Sequence, residues 1–158
     1  MLNQDKNPLV NFNFVLRVEL LYDLPCKSVK AFTRELEYEY IQEGGLNDYV
    51  HMRRKPASKP FILEVERYAG IDYADPLPLG ADLALPVILL VSRYVDHFFP
   101  VTRTYVFTGC SVIKKTYGEL NAERGGLLTD TITLSYREML CVDNALADSA
   151  GKPGGIKR

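Results

Sequence analysis

Residues 35–60 read Glu-Leu-Glu-Tyr-Glu-Tyr-Ile-Gln-Glu-Gly-Gly-Leu-Asn-Asp-Tyr-Val-His-Met-Arg-Arg-Lys-Pro-Ala-Ser-Lys-Pro. The first part alternates, with Leu36, Tyr38 and Tyr40 on one side and Glu35, Glu37 and Glu39 on the other. A strand with one wet face has this period. Gly44 and Gly45 interrupt it, since glycine turns the backbone through positive φ at no steric cost. A basic segment, Arg53-Arg54-Lys55, leads on to Pro60, after which a new strand begins. The pattern is a strand, a projecting arm over 44–59, and a return strand.

Working outward in both directions, the same period recurs. Phe12, Phe14, Leu16, Val18 and Leu20 share a face opposite Asn13, Arg17 and Glu19, which predicts a strand over 12–21. Tyr22 to Pro25 reads as a turn, and Cys26 opens a strand running through Ile41. Beyond the arm, Phe61, Leu63 and Val65 alternate with Glu64 and Glu66. Proline and glycine at 70, 76, 78 and 80 preclude a long helix between Ala69 and Leu85. Val87 to Val91 is an uninterrupted apolar run, expected to be buried on both faces or at an interface. Val95 to Pro100 reads as a connection, Thr102 to Lys115 as a strand or bent strand pair, and Tyr117 to Gly126 as a polar loop. Thr131 to Arg137 closes the sheet, with Ile132, Leu134 and Tyr136 inward. The sum is a mainly β fold: an antiparallel sandwich or barrel of six to seven strands with little helix and a long projecting arm. Residues 1–143 form the expected domain, and the Ala/Ser/Gly/Lys-rich 144–158 a flexible tail.

Composition narrows the function classes. A chain of 158 residues is about one domain with a sizeable core. Its formal net charge of −1 gives no electrostatic footprint for nucleic acid. The apolar run from Leu83 to Val91 contains Pro86 and is too short to span a bilayer, so no membrane insertion is expected. The N-terminus lacks the apolar stretch of a signal peptide, which places synthesis in the cytoplasm. Cys26, Cys110 and Cys141 are widely spaced and odd in number, fitting free thiols rather than a disulfide framework or metal site.

No residue set for catalysis emerges. Cys110 and His97 lack the context of an activated nucleophile. Asp72, Asp75 and Asp82 lack calcium-loop spacing. Gly44-Gly45 is followed by no Gly-Lys-Ser/Thr before a helix, so it is no phosphate loop. No catalytic, cofactor or metal residue is expected.

Several segments carry a resemblance. Tyr40-Ile-Gln-Glu-Gly-Gly-Leu-Asn-Asp-Tyr-Val-His51, Asn7-Pro8-Leu9-Val10 leading into Phe12-Asn13-Phe14, Tyr117-Gly118-Glu119-Leu120-Asn121-Ala122, and the strand ending in Arg137-Glu138-Met139 stand out. Together they resemble the inner tube proteins of contractile phage tails and related contractile injection systems, over roughly 7–68 and 103–142. The chain departs from that family where the Pro-rich Tyr73–Pro86 replaces a short helix.

The resemblance implies a β-sandwich subunit forming six-fold rings that stack into a hollow tube, each sheet continuing into its neighbour's. It implies sheath and baseplate partners, and cargo or DNA passing through the lumen without specific binding. It also places the arm residues Glu43, Gly44, Gly45, Leu46, Asn47, Asp48, Tyr49, His51, Arg53, Arg54 and Lys55 against an adjacent subunit or ring. Unpaired sheet edges are aggregation hazards unless a partner covers them, so closure by oligomerisation fits the physics too. Glu35, Glu37 and Glu39 would either line the lumen or form an ordinary solvated face. A tube-initiating ring at the baseplate is the neighbouring alternative, and a monomeric ligand-binding β-barrel is the alternative of another class.

Overall fold

The structure, a computed structural model, describes residues 14–42, 44–45, 49–69, 75, 77–92, 101–123 and 125–143. These residues contain eleven strands and no helix. In chain order they are β1 (Phe14–Val18), β2 (Tyr22–Leu24), β3 (Ser28–Val29), β4 (Tyr38–Ile41), β5 (His51–Arg54) and β6 (Phe61–Tyr68). There follow β7 (Val87–Ser92), β8 (Val101–Thr108), β9 (Ser111–Tyr117), β10 (Thr129–Tyr136) and β11 (Glu138–Asp143). All pairings are antiparallel: a five-stranded sheet β11-β8-β7-β1-β2, a four-stranded sheet β3-β6-β10-β9, and a separate two-stranded sheet β4-β5. The fold is a β-sandwich and not a closed barrel.

Period-two patterning builds the core. Leu16, Val18, Val87, Leu89 and Phe107 project from the five-stranded sheet, and Leu63, Val65, Val112, Ile132, Leu134 and Tyr136 from the four-stranded one. The two sheets are tied by strands that change sheet at a corner. β8 and β9 are two halves of one bent path, as are β10 and β11, so one long hairpin feeds both layers. At the corner Gly109 has φ +63°, and a Cβ there would lie 2.8 Å from Cδ of Arg137. The Arg137 N–H donates to the Thr108 carbonyl at 3.0 Å across the same bend. Bends of this kind are how sandwiches make corners.

The β1–β2 connection is strained. The Leu21 N–H donates to the Val18 carbonyl, and the residues between, Glu19 and Leu20, have φ of 51° and 60°. Positive φ at both central positions is the demand of a type I′ turn, normally met by Asn-Gly. Neither residue suits it, and the left-handed region costs about 1–2 kcal/mol per non-glycine residue. Leu20→Gly is therefore expected to stabilise the subunit by about 0.5–1 kcal/mol after the entropy of the added glycine. A rise of about 1–4 °C in thermal midpoint, read by calorimetry, checks this. A fall would show that the turn is not strained.

The structure corrects the sequence reading at several points. The turn lies at 19–21, so Leu20 is exposed instead of sharing the face of Leu16 and Val18, and 22–24 form a strand. The single strand expected over 26–41 is broken after Val29. There the Lys30 N–H bonds to the Glu64 carbonyl, and Phe32 then turns inward to pack edge-on against Tyr105 and Phe107, 5.0 and 5.2 Å between centroids. Packing of one aromatic side chain ends the ladder. Val87–Val91 is buried on one face only, with Ile88 and Leu90 half-buried on the other. β11 goes beyond the last strand that was expected, and the strand count exceeds six or seven because long strands are cut at corners. Phe12, Asn13, His97, the 95–100 connection and the 144–158 tail lie outside the described residues.

Candidate subunit interface

The arm is not a plain loop. β4 and β5 pair with Tyr38 opposite Arg54, Glu39 opposite Arg53, Tyr40 opposite Met52 and Ile41 opposite His51. Gly44 and Gly45 lie at its tip, with Gly45 at φ +116°. The turn at the glycines matches the sequence reading; the return strand at 51–54, before Pro56, does not. In-register pairs share a face, so Tyr38, Tyr40, Met52 and Arg54 lie on one side and Glu39, Ile41, His51 and Arg53 on the other. Tyr38, Tyr40, Ile41, Tyr49, Val50 and Met52 are all exposed. Among the described residues, none in the hairpin belongs to the buried core. A lone two-stranded hairpin is marginally stable in water, so this one calls for a covering surface.

Few internal ties hold it. Arg53 Nε stands 3.7 Å from Glu39 Oε1 across the hairpin, and the Lys55 N–H donates to the Glu37 carbonyl at 2.8 Å. His51, Arg53, Arg54 and Lys55 remain exposed, as does Tyr49, while Glu43, Leu46, Asn47 and Asp48 lie outside the described residues. Between the hairpin root and the sandwich is an open groove of about 590 Å³, lined among others by Lys30, Arg34, Glu35, Glu37, Arg54 and Lys55. Glu35 and Glu37 thus precede β4 and border this groove, and Glu39 alone of the three lies on a strand. The segment leading to them is anchored by Arg34 Nη1, which donates to the Met139 carbonyl on β11 at 2.9 Å, and by Tyr136 Oη, which donates to the Thr33 carbonyl at 2.5 Å.

Two further surfaces are set by the pairing of distant strands, and the sequence reading marked only the second, by placing Thr131, Thr133 and Ser135 outward. The outward face of the five-stranded sheet carries Val15 and Leu90 in one row with Thr104 and Val142, and Ile88 in the next with Val106 and Leu140. The outward face of the four-stranded sheet is mainly polar, with Ile62 exposed among its charged and hydroxyl side chains. There Lys27 pairs with Glu66 at 3.0 Å, Ser28 Oγ donates to the same carboxylate, and Lys30 pairs with Glu64. Glu66 is held below the usual carboxylate range by the bonds from Lys27 and Ser28. The alternation of Thr131, Thr133 and Ser135 signalled that face, but which lysines would meet its glutamates depends on β3 pairing with β6.

Burial pushes the Cys110 thiol up to about 11 and the Cys26 thiol up to about 12, the opposite of what a thiolate nucleophile needs. Cys141 is exposed and unpaired with another cysteine. Among the described residues no His, Cys, Asp or Glu cluster could hold a metal ion, and no helix is long and apolar enough to cross a membrane.

A corner-folded sandwich with a projecting hairpin is thus the class of protein that the coordinates define. Among solved structures it is similar to a chain of the extracellular contractile injection system PVC sheath–tube complex in the extended state, at 12% identity. That match has a TM-score of 0.67 and covers 89% of this chain and 95% of that one. A chain of the anti-feeding prophage baseplate matches at 18% identity and TM-score 0.61, covering 86% and 96%. A chain of the anti-feeding prophage tube-terminating cap matches at 9% identity and TM-score 0.67, covering 87% and 92%. No protein-family model and no curated relative matches the sequence. The chain shares the fold of proteins found in the tubes, caps and baseplates of contractile injection particles.

Proposed function

We propose that the protein is a structural subunit of the inner tube of a contractile injection particle. It assembles with copies of itself into stacked rings, with sheath and baseplate proteins as partners, around a channel that passes cargo or DNA without binding it specifically. The observation that carries this reading is the projecting β4–β5 hairpin, with apolar side chains exposed on both faces, on a fold shared with proteins of such particles. A hairpin that cannot stand alone and a sandwich with unpaired edges both gain from a neighbour's surface. In this reading Gly44, Gly45, Tyr49, His51, Arg53, Arg54 and Lys55 meet the adjacent subunit or ring, together with Glu43, Leu46, Asn47 and Asp48. Glu35, Glu37 and Glu39, at the root of the same hairpin, belong to that contact or face the lumen beside it. A ring that initiates the tube is the second reading, favoured by the baseplate match, which covers 96% of that chain.

Negative-stain microscopy with mass measured in solution tests the proposal. Long striated tubes support the repeating subunit, single rings the initiator, and a monomer at every concentration would count against both. Deleting residues 44–59 is expected to leave a folded subunit, because none of its described residues belongs to the buried core, yet to abolish stacking. Tubes formed by the deletion variant would remove the hairpin from the assembly contact.

A further inference from the structure

An antiparallel sheet with one face on the core commonly turns polar residues outward on the other. The five-stranded sheet does not. Val15, Ile88, Leu90, Val106, Leu140 and Val142 stand in adjoining outward rows on four neighbouring strands. Val15, Val142 and Leu140 are exposed, Leu140 by 59%. Arg17 on this face is paired with Asp23. Glu138, two residues before Leu140 and so on the same face, has no ion-pair partner among the described residues. The surface is thus an apolar patch with one unpaired carboxylate at its rim.

The β4–β5 hairpin has the converse surface. Tyr38, Tyr40 and Met52 are exposed on one of its faces, and the only charge among them is Arg54, which has no ion-pair partner among the described residues. In each surface the lone charge stands one row, about 7 Å, from an apolar neighbour: Arg54 from Met52, and Glu138 from Leu140. The subunit does not satisfy one surface with the other. β4 and β5 pack chiefly on each other, and the groove at their root is walled by Ile62 and Glu64, on the outer side of the opposite sheet. None of the six apolar residues lines that groove. Two-fold pairing of like surfaces would bring Arg54 onto Arg54, or Glu138 onto Glu138. Hairpin against sheet face joins opposite charges instead, in a head-to-tail contact of the kind that closes into rings.

Resting on the self-assembly reading above, we infer that the Tyr38–Tyr40–Met52 face of one subunit's hairpin lies on the outward face of a neighbouring copy's five-stranded sheet, with Arg54 against the neighbour's Glu138. Sheet faces pack in this way over an apolar layer, and the charge pair at the rim fixes which way round the hairpin lies.

The test uses the full chain with Arg54→Glu and, separately, Glu138→Arg. Both residues are exposed, so each variant is expected to keep its thermal midpoint within a few degrees. Each alone is expected to raise the concentration for half-assembly at least about tenfold, because like charges then meet across the contact. An equal mixture of the two chains is expected to assemble as the wild type does, since alternating copies again pair opposite charges at every contact. A pairing within one chain would leave the mixture as poor as its components. In a Cys141→Ser background, mixing a Met52→Cys chain with a Leu140→Cys chain is expected to give a disulfide-linked dimer under mild oxidation. Normal assembly of either charge variant, a mixture that stays deficient, or no cross-link in assembled rings overturns the hairpin-on-sheet contact and leaves the self-assembly reading standing. A wild-type chain that stays monomeric at every concentration removes both.

Discussion

Tyr136→Ala is expected to cost about 3–5 kcal/mol, the range for emptying a large aromatic site in a packed core. Against a domain stability of about 5–15 kcal/mol, that places the variant near the folding threshold. The side chain is 1% exposed and stacks on Phe61 with centroids 5.6 Å apart, while meeting Phe107 edge-on at 5.0 Å. It therefore joins the two sheets at the corner, next to Arg137. Its hydroxyl adds a second role by donating to the Thr33 carbonyl, which fixes the crossing segment that leads into the hairpin. Tyr136→Phe separates the roles: it keeps the packing and is expected to cost about 1–2 kcal/mol for the unpaired carbonyl. Urea unfolding of both variants measures the difference. Equal losses for the two would mean that the hydroxyl, and not the ring, carries the site.

The second large effect is expected at Asp75. Its carboxylate faces Lys115 Nζ and Arg67 Nη2, the latter at 3.5 Å, and Oδ1 accepts the Leu77 N–H at 3.1 Å. The Lys115 side chain is 8% exposed and that of Arg67 14%, so Asp75→Asn leaves two largely buried cations without their counter-charge. Asp130, opposite Arg67 in the sheet, already has a buried Oδ1 with no hydrogen-bond partner, and Arg67 Nε is in the same condition. Asparagine preserves the Leu77 bond, so the variant isolates the charge. Breaking a buried pair from one side costs about 3–5 kcal/mol; with Asp75 still 39% exposed, about 1–3 kcal/mol is expected.

The pH dependence follows from the same contacts. Burial alone would raise the Asp75 pKa, but Lys115, the Leu77 N–H and Arg67 outweigh it and hold the group below its ordinary value. A depressed carboxylate contributes stability above its unfolded pKa, about 3.9, and loses it as pH falls through the folded value. The gap between wild type and Asp75→Asn should thus be full at pH 6–7 and shrink below about pH 4. A gap independent of pH would assign the loss to packing.

The strand faces were legible because burial imposes a period of two. Ile132, Leu134 and Tyr136 point inward as their alternation requires, and so do Leu63 and Val65. Legibility failed where one side chain overrode the local pattern. Phe32 leaves the ladder for the core, and no periodicity over 26–41 records that its partners are Tyr105 and Phe107, more than seventy residues away. The turn at 19–21 was hidden for a related reason: Glu19 and Leu20 are poor turn formers, so the strand pattern ran through them. The glycines of the arm marked its tip correctly, but the return strand at 51–54 is all exposed and has no apolar alternation to reveal it.

By itself the sequence determined the β class, the inward residues of the long strands and the glycine tip of the hairpin, because each depends on neighbours within a few positions. Only the tertiary structure decided which strands share a sheet, where they bend at Gly109 and Arg137, that Lys115 and Arg67 converge on Asp75, and which apolar side chains remain uncovered. Those outcomes depend on contacts between distant residues, and pairing energies between distant residues leave no periodic trace in the chain.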